Sequence, residues 1–504
     1  MERCKEVTLL CSKNRWSDAI QQLKKSEYFS SYNIIYREKI FSEVIVLDWE
    51  SRLSVRSEYK YIMENAHVYF MFANVTIDMN DEDYILQMEA RALREKEWKL
   101  CKTINEAKIE ISMIHKVCRM NCYPVELQLE STDICNGRCI MCSHFYRNGT
   151  HSLKQQFEIV DKIRHVLPYL RTIYLHGNGE PFILQNLSEY LSIFREYEIN
   201  FATNTNLSYL DENIVSMINS SFSELNISCD GADKETYEYI RRGLSFDEFV
   251  HNSKYLRKKC PTLFMRMMCI TMRQNIDKLP EIVYMAANLG FNEIVFTELG
   301  TDVKLENQMD NMTIYPQISS KYLQKAIDVG KIYNIPVRVP GNIVRYNEEL
   351  YKQELEQFYK VPLFKSDSEM ESLYNSLQQN NDARHKVFAE YDFNQLPQLI
   401  KCEFDGICDW CVQRPYIDLD GNISVCCINQ FVKIGNLFDS SFEEVWNDDK
   451  IIKVRDMFYS GDLPHFCSGC EFLIQGMLSC IKLNSYDDNL YRKIHKEDFE
   501  LKED

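Results

Sequence analysis

Apolar and polar residues follow two different patterns along the chain, and the change comes near residue 124. Before it, three segments carry apolar residues at intervals of three and four, which is typical of helices with one buried face. These segments are SDAIQQLKKSEYF from Ser17, YKYIMENAHVYFMFAN from Tyr59, and residues 82–118. Ser17 and Asp18 fit a helix N-cap. We therefore predict a helical N-terminal domain over residues 1–122, which would serve either support and dimerisation or substrate recognition.

From residue 124 onward, short apolar or alternating segments take turns with helical ones. The strand candidates are PVELQLEST, RTIYLHG, INFATNT, ELNISCD, LFMRMMCITM and NEIVFTEL. Between them lie helix-like segments such as LKQQFEIVDKIRHVLPYL and SFDEFVHNSKYLRKK, and a further helix and strand end near Pro340. This alternation predicts right-handed βα units around a parallel sheet over residues 123–341, either barrel-like or doubly wound.

The remaining chain divides into three parts. Residues 342–400 are polar, contain no repeat and read as a linker or insertion. Residues 401–482 are rich in cysteine and contain YIDLDGNISVCC, where Asp-Gly between alternating segments predicts a β-hairpin. Residues 483–504 form a charged tail that we expect to fray.

Composition narrows the class of protein. With 504 residues the chain exceeds the size of one hydrophobic core, so accessory domains are expected. The net charge of -17 argues against nucleic acid as a partner. The sequence shows neither a signal-peptide h-region nor an apolar run of about 18 residues, so we expect a cytoplasmic protein with no membrane partner. Its 19 cysteines should then be reduced thiols or metal ligands.

Three cysteines follow the first strand candidate closely. Cys135, Cys139 and Cys142 have the spacing CxxxCxxC in STDICNGRCIMCSH. Loops that follow the strands build the active sites of βα barrels. A structural zinc site normally takes four protein ligands, whereas three thiolates can hold a cubane cluster and leave one iron open. The spacing therefore favours an iron–sulfur cluster, with zinc as the alternative.

Further motifs occur in order after the later strand candidates: HGNGEP from His176, ATNTN from Ala202 and SCDG from Ser228. Together with the cysteine triplet they resemble the radical SAM superfamily. That family binds a [4Fe-4S] cluster through three such cysteines, and S-adenosylmethionine (SAM) at the unique iron. The resemblance implies an α/β fold with a partial (β/α)6 TIM-like barrel. It also implies reductive cleavage of SAM to a 5′-deoxyadenosyl radical that abstracts a substrate hydrogen.

The resemblance assigns cofactor contacts to several residues. The HGNGEP backbone and Glu180 would meet the amino group of SAM, Ser228 its ribose, and Arg266 its carboxylate. Arg266 fits equally well as an ordinary surface or core-edge arginine. The full set of candidates is Gly177, Gly179, Glu180, Pro181, Asn204, Ser228, Asp230 and Arg266. The sequence departs from the family pattern at Asn178, where a glycine is usual, and at Met141, where an aromatic residue is common.

A second cysteine pattern lies near the C-terminus. Cys411, Gly421 and Cys426 have the spacing C-x9-G-x4-C, and HFCSGC adds Cys467 and Cys470. This resembles the SPASM or shorter twitch domain, a small α+β domain appended to many radical SAM enzymes. The resemblance implies a Cys4 set for one auxiliary [4Fe-4S] cluster, with Cys408 as a possible replacement for Cys411. A Cys4 zinc ribbon is the alternative, since thiolate spacing does not name the metal.

Two substrate classes fit an oxidoreductase-type enzyme of this family. One is a peptide or protein that is oxidised, crosslinked or epimerised, as by the peptide maturases that carry SPASM domains. The other is a sugar or aminocyclitol acted on by a dehydrogenase, epimerase or lyase. Cys229 and Cys269 are candidate hydrogen donors, although buried cysteines are more often inert packing. A flavodoxin- or ferredoxin-type protein would supply electrons. A non-catalytic zinc-binding scaffold is the alternative outside the enzyme class.

Overall fold

The computed structural model of the chain describes two compact units, residues 1–125 with 482–504 and residues 126–481. The described residues are 6–10, 16–25, 33–36, 44–48, 67–72, 75–142, 153–299, 310–340, 343–366, 368–369, 372, 407–408, 410–427, 430, 432–461, 464, 467 and 480–481. Among the helices in these ranges, none combines the length and the apolar character that crossing a bilayer requires.

The first unit contains a five-stranded sheet as well as helices. Its strands are β1 Glu6–Leu10, β2 Asn33–Tyr36, β3 Val44–Asp48, β4 His67–Phe72 and β5 Val75–Asp78. They lie in the order β2-β1-β3-β4-β5, with all neighbours parallel except β4 and β5. The helices are α1 Trp16–Lys25, α2 Glu82–Glu95 and α3 Trp98–Ile114.

The prediction of a purely helical N-terminal domain is therefore wrong. Three of its helices are present, but the segment HVYFMF, predicted as helix, is strand β4. Val68, Phe70 and Met71 are buried in this strand. An inner strand of a parallel sheet is covered on both faces, so it reads as a continuous apolar run without the period of two that marks a strand. Such a run is easily taken for a helix.

The second unit is built on one ten-stranded sheet. The six strand candidates are confirmed as β6 Glu126–Leu129, β8 Thr172–Tyr174, β9 Asn200–Thr205, β10 Phe222–Ser228, β12 Phe264–Thr271 and β13 Glu293–Glu298, and β14 Val337–Arg338 follows them. These seven strands are parallel neighbours in chain order. Right-handed crossovers produce this order when each strand is followed by a helix.

The helices of the second unit lie between these strands or after them. They are α4 Leu153–Lys162, α5 Leu187–Arg195, α6 Glu212–Ser221, α7 Lys234–Ile240, α8 Phe246–Lys259, α9 Leu279–Asn288, α10 Pro316–Tyr333, α11 Glu348–Phe358, α12 Trp410–Gln413, α13 Phe442–Trp446 and α14 Asp449–Tyr459. Several begin at a side-chain cap: Asp211 accepts a hydrogen bond from Ile214 N, and Ser245 accepts one from Glu248 N. The α/β class with a partial barrel is confirmed.

The C-terminal segment continues the same sheet. Strand β15 Ile407–Cys408 pairs antiparallel with β19 Cys480–Ile481 in a separate small sheet. The predicted hairpin is present as β16 Tyr416–Ile417 and β17 Asn422–Ser424, and β18 Lys433–Asn436 pairs with β17. Gly421 in its turn has a φ of +76°, which suits glycine. Strand β16 also pairs with β6 in parallel, Tyr416 opposite Gln128. Among the described strands the barrel is therefore open, because β6 has β16 beside it and not the last strand of the series.

One helix of the predicted insertion packs on the second unit. The Glu354 carboxylate of α11 accepts hydrogen bonds from Gln317 N and Ile318 N at the start of α10. The buried Arg273 guanidinium donates to the carbonyl oxygens of Phe358 and Val361. This part of residues 342–400, the predicted linker or insertion, is thus packed within the second unit.

Candidate functional site

The cysteine triplet lies on a loop that is fixed by a short ladder. The two-residue strand β7 Arg138–Cys139 pairs antiparallel with β11 Arg241–Arg242, and Cys139 lies opposite Arg241. Ile140 N donates to Ile240 O at 2.9 Å. Backbone hydrogen bonds therefore connect the loop to the segment that follows α7.

The three thiols are within electrostatic range of one another. Loss of solvation, with a smaller contribution from the Cys142 charge, raises the pKa of Cys135 to about 11 and that of Cys139 to about 12. Arg241 opposes the shift: its Nη1 lies 3.9 Å from Cys139 Sγ. Such thiols ionise readily only beside additional positive charge, which a bound metal cluster supplies. The donor chemistry fits a cluster.

This fit rests on the donors and not on a ready-made coordination geometry. Within the described ranges, no three or more His, Cys, Asp or Glu side chains form a group able to hold a metal ion. The thiolates of a [4Fe-4S] cluster each bind a different iron, so they stand farther apart than the ligands of a single ion.

The HGNGEP turn packs directly against the segment that follows β6. A Cβ on Gly179 would lie 2.4 Å from Thr132 O, and a Cβ on Gly177 would lie 2.4 Å from Glu130 Cγ. Glu180 N donates to Ile134 O at 2.8 Å. Both glycines are thus required by close approach, which sets the turn beside the cysteine loop.

Glu130, which the sequence analysis missed, anchors this turn. Its Oε1 accepts hydrogen bonds from Asn178 N at 2.6 Å and Asn178 Nδ2 at 2.9 Å, and its Oε2 accepts one from the Tyr416 hydroxyl at 3.0 Å. Burial raises the pKa of Glu130, and these donors oppose the rise. The departure from glycine at Asn178 therefore has a structural reason. A carboxylate directly after a strand of a βα barrel was the available signal.

Glu180 points inward and already has partners. It is 3% exposed, and its carboxylate accepts hydrogen bonds from Thr205 Oγ1 at 2.7 Å and Asn206 N at 2.6 Å. Burial raises its pKa. Glu180 therefore ties the HGNGEP turn to the end of β9, and its contact with the SAM amino group stays a prediction. Pro181 begins the short 3-10 helix Pro181–Ile183.

Asp230 of the SCDG segment supports the cysteine loop through Arg241. Its carboxylate forms an ion pair with Arg241 at 2.6 Å, and their side chains are 0% and 8% exposed. Its Oδ1 accepts a hydrogen bond from Ile270 N at 2.7 Å. Asp230 thereby positions the guanidinium beside Cys139. Ser228, half-buried, ends strand β10 at the same edge of the sheet.

The inner face of the sheet carries a row of polar side chains. Asn226 Nδ2 donates to Asn204 Oδ1 at 2.9 Å, and Arg266 Nη1 donates to Asn226 Oδ1 at 2.7 Å. Arg266 also pairs with the carboxylates of Glu224 and Glu293. It stands in the amino-terminal half of β12, whereas the cysteine loop follows the carboxyl end of β6. The structure does not bring Arg266 to the edge where the other candidates meet.

The two candidate hydrogen donors face away from that inner row. Cys229 and Cys269 are each 0% exposed. Along β12 the burial alternates: Arg266 and every second residue from it are half-buried, whereas Cys269 and every second residue from it are buried. Successive side chains of a strand point to opposite faces. Cys269 therefore packs in the core, and Cys229 Sγ donates to Gly231 O at 3.3 Å; neither thiol reaches the inner face.

Four C-terminal cysteines are buried together: Cys408, Cys411, Cys426 and Cys467. Burial raises the pKa of Cys408 well above its usual value, and the charges of the other three add to the rise. The structure thus groups Cys408 with Cys411 and does not substitute one for the other. Cys470 lies outside the described residues.

Comparisons with known proteins agree with these motifs. Residues 129–285 match the family model of the radical SAM superfamily. Residues 408–471 match the SPASM model, described as an iron-sulfur cluster-binding domain. The second match begins at Cys408. No curated protein matches the chain.

Several solved structures are similar at low identity. Streptococcus suis SuiB bound to S-adenosylmethionine is 15% identical, with a TM-score of 0.45 over 74% of this chain and 79% of SuiB. The anSMEcpe structure with AdoMet and the Cp18Cys peptide is 16% identical, with a TM-score of 0.44 over 75% of this chain and 96% of that one. BtrN in complex with AdoMet and 2-DOIA is 11% identical, with a TM-score of 0.34 over 68% and 89%.

Proposed function

We propose that this chain, which carries a radical SAM domain followed by a SPASM domain, is an enzyme that removes a hydrogen atom from a peptide or protein substrate. The observation that carries the proposal is the convergence of three motifs at one edge of the parallel sheet. The cysteine loop, the HGNGEP turn and the SCDG segment follow the carboxyl ends of β6, β8 and β10. In βα barrels this edge is where the active site forms.

A radical SAM domain binds a [4Fe-4S] cluster and SAM, and a SPASM domain binds auxiliary iron–sulfur clusters. When bound and reduced, the first pair supplies a 5′-deoxyadenosyl radical. Cys135, Cys139 and Cys142 would hold that cluster. Arg241 supplies positive charge beside Cys139, and Asn206 Nδ2 lies 4.0 Å from Cys135 Sγ. We expect the electron to come from a flavodoxin- or ferredoxin-type protein.

The peptide or protein class is favoured by the SPASM domain, because the peptide maturases that this chain resembles carry one. The inner face of the sheet suits such a substrate. Asn204 and Asn226 present amide groups there, and amides donate and accept hydrogen bonds as a peptide backbone does. A sugar or aminocyclitol is the second candidate. The paired charges of Glu224 and Arg266 support it, since hydroxyl and amine groups also bind to them.

Anaerobic reconstitution tests the enzyme class. The proposal expects about eight irons per chain, one [4Fe-4S] cluster in each domain, and release of 5′-deoxyadenosine from SAM on reduction. The variant Cys142→Ala should lose the SAM-dependent change in the EPR spectrum and SAM cleavage, and keep about four irons. Zinc in place of iron, without SAM cleavage, would contradict the proposal and favour the scaffold alternative.

Substrate class is tested separately with the reconstituted protein. A pool of synthetic peptides and a pool of sugars and aminocyclitols are each supplied with SAM and reductant. Release of 5′-deoxyadenosine above the level with SAM alone, together with a peptide product of changed mass (oxidation or crosslink) or of equal mass and inverted stereochemistry (epimerisation), supports the first candidate. The same response confined to the second pool would replace it.

A further inference from the structure

Asn206 follows strand β9 and connects the HGNGEP turn with the cysteine loop. Its backbone N–H donates to the Glu180 carboxylate at 2.6 Å. Its side-chain Nδ2 donates to Asn136 Oδ1 at 3.0 Å and to Cys135 Sγ at 4.0 Å. The residue is 6% exposed. One buried side chain and its backbone thus join two of the motifs that meet at the carboxyl edge of the sheet.

The orientation of the Asn206 amide is fixed by its other partners. Its Oδ1 accepts hydrogen bonds from Ser208 N at 2.9 Å and from Ser208 Oγ at 2.5 Å. A backbone N–H can only donate, so the amide atom that faces it must be the oxygen. The NH2 group therefore points to Asn136 and Cys135, and its two hydrogens match these two acceptors. Asn136 closes the group, because its Nδ2 donates to Ser208 Oγ at 2.7 Å.

Two N–H groups are therefore directed at the Cys135 sulfur. One is Gly137 N, at 3.4 Å, and the other is Asn206 Nδ2. Hydrogen bonds to the sulfurs are among the factors that set the reduction potential of an iron–sulfur cluster. A donor stabilises most the form with the larger negative charge, which is the reduced form. The backbone donor is available with almost any residue at position 137, whereas the second donor depends on the side chain at position 206.

We propose that Asn206 is a positioning residue that raises the reduction potential of the cluster held by Cys135, Cys139 and Cys142. The inference rests on the proposed function, because this cluster must bind. Ser208 and Glu180 hold Asn206 in place, so its amide already faces Cys135 before an electron arrives. The cluster then accepts one electron from the flavodoxin- or ferredoxin-type donor more readily, and no bond of Asn206 is made or broken.

Redox titration of the reconstituted full chain, followed by EPR without SAM, measures this potential. The signal that changes when SAM is added to a parallel sample belongs to the cluster at Cys135, and the auxiliary cluster is an internal reference. Asn206→Leu replaces the amide with an apolar side chain of similar size. At a fixed potential the ratio of reduced to oxidised cluster should fall about threefold. That ratio corresponds to a potential lower by about 28 mV for a one-electron couple. The potential of the auxiliary cluster should stay the same.

Asn252→Leu is the matched control. Asn252 is also a buried asparagine, and its Nδ2 donates to the backbone oxygen of Leu207, the residue after Asn206, at 2.9 Å. It thus holds the same loop through an oxygen and not through a sulfur. This variant should keep the wild-type potential. Equal shifts in Asn206→Leu and Asn252→Leu, or an unchanged potential in Asn206→Leu, would overturn the inference while leaving the proposed function standing.

Asn206→Asp decides the question if Asn206→Leu fails to assemble the cluster. The aspartate keeps the shape and the oxygen that Ser208 N requires, and it replaces the donor with a negative charge. Its potential should therefore fall by at least as much as that of Asn206→Leu. A higher potential in Asn206→Asp, or loss of about four irons from both variants, would leave Asn206 with a structural role alone and overturn the inference. A wild type that binds no iron or does not cleave SAM would instead overturn the proposed function.

Discussion

Replacing Tyr416 with phenylalanine tests the link between the SPASM segment and the HGNGEP turn. The change deletes one hydroxyl and leaves the ring, so packing against neighbouring strands is kept. It removes one of the three hydrogen bonds to the Glu130 carboxylate, which is 3% exposed. A hydrogen bond to a buried charged group contributes about 1.5–3 kcal/mol. We expect Tyr416→Phe to lower the free energy of unfolding of the second unit by about that amount at pH 8.

The free energy of unfolding that Tyr416→Phe removes should become smaller as pH falls. Burial raises the pKa of Glu130 in the folded protein, and the Tyr416 hydroxyl opposes the rise. A carboxyl group whose folded pKa is raised favours folding below its unfolded pKa and loses that contribution as pH rises through the folded pKa. Removing the hydroxyl raises the folded pKa further. Tyr416→Phe should therefore lower the free energy of unfolding less at pH 5 than at pH 8, because a larger fraction of Glu130 is protonated, and so uncharged, at the lower pH.

Anaerobic urea unfolding of the reconstituted protein, followed by tryptophan fluorescence, measures the free energy of unfolding at pH 8 and at pH 5. Tyr209→Phe is the matched control: this tyrosine is 49% exposed and donates to Asp211 at 3.2 Å on the surface. Tyr209→Phe should lower the free energy of unfolding by less than about 0.5 kcal/mol at either pH. Equal losses in the two variants, or a Tyr416→Phe penalty that grows as pH falls, would refute the role given to Glu130.

Three further predictions concern the cofactor sites. In Gly179→Ala the new Cβ would lie 2.4 Å from the backbone oxygen of Thr132, so calorimetry should show SAM binding weakened by at least about tenfold. In the control Gly137→Ala the new Cβ meets only the Leu244 side chain, at 3.3 Å, and SAM should bind normally. Cys411→Ala should lower the iron content to about four per chain, yet leave the SAM-dependent EPR change that Cys142→Ala abolishes; loss of both signals would contradict two separate sites. Asp230→Asn leaves a buried guanidinium unpaired and should cost about 3–5 kcal/mol in urea unfolding; a loss under about 1 kcal/mol would contradict its support of the cysteine loop.

The sequence predicted the strand order of the second unit well, because its βα units are local. Each strand candidate from PVELQLEST to NEIVFTEL is a strand, and the motifs at their ends meet at one edge. The N-terminal sheet escaped prediction because β4 is covered on both faces and shows no alternation. Local pattern is informative only where one face of an element differs from the other.

Contacts between distant parts of the chain were not predictable in this way. Glu130 and Tyr416 are 286 positions apart, and nothing in either segment indicates that β6 and β16 pair. The motif SCDG also did not indicate that Asp230 forms an ion pair with Arg241, although only one short helix separates the two residues in the sequence. The spacing of the cysteines indicated which thiols to consider. It did not reveal that Cys269 is packed in the core.

The pairing of β16 with β6 has a consequence for anyone who would cut or exchange the two domains. Removing the chain after residue 400 would leave β6 as an exposed edge with its hydrogen-bonding groups unpaired, and such edges invite aggregation. It would also strip Glu130 and Glu126 of their partners on the SPASM segment. A SPASM domain grafted from another enzyme would have to bring its own tyrosine and arginine at these two places. The two modules that sequence matching separates are therefore a single engineering unit.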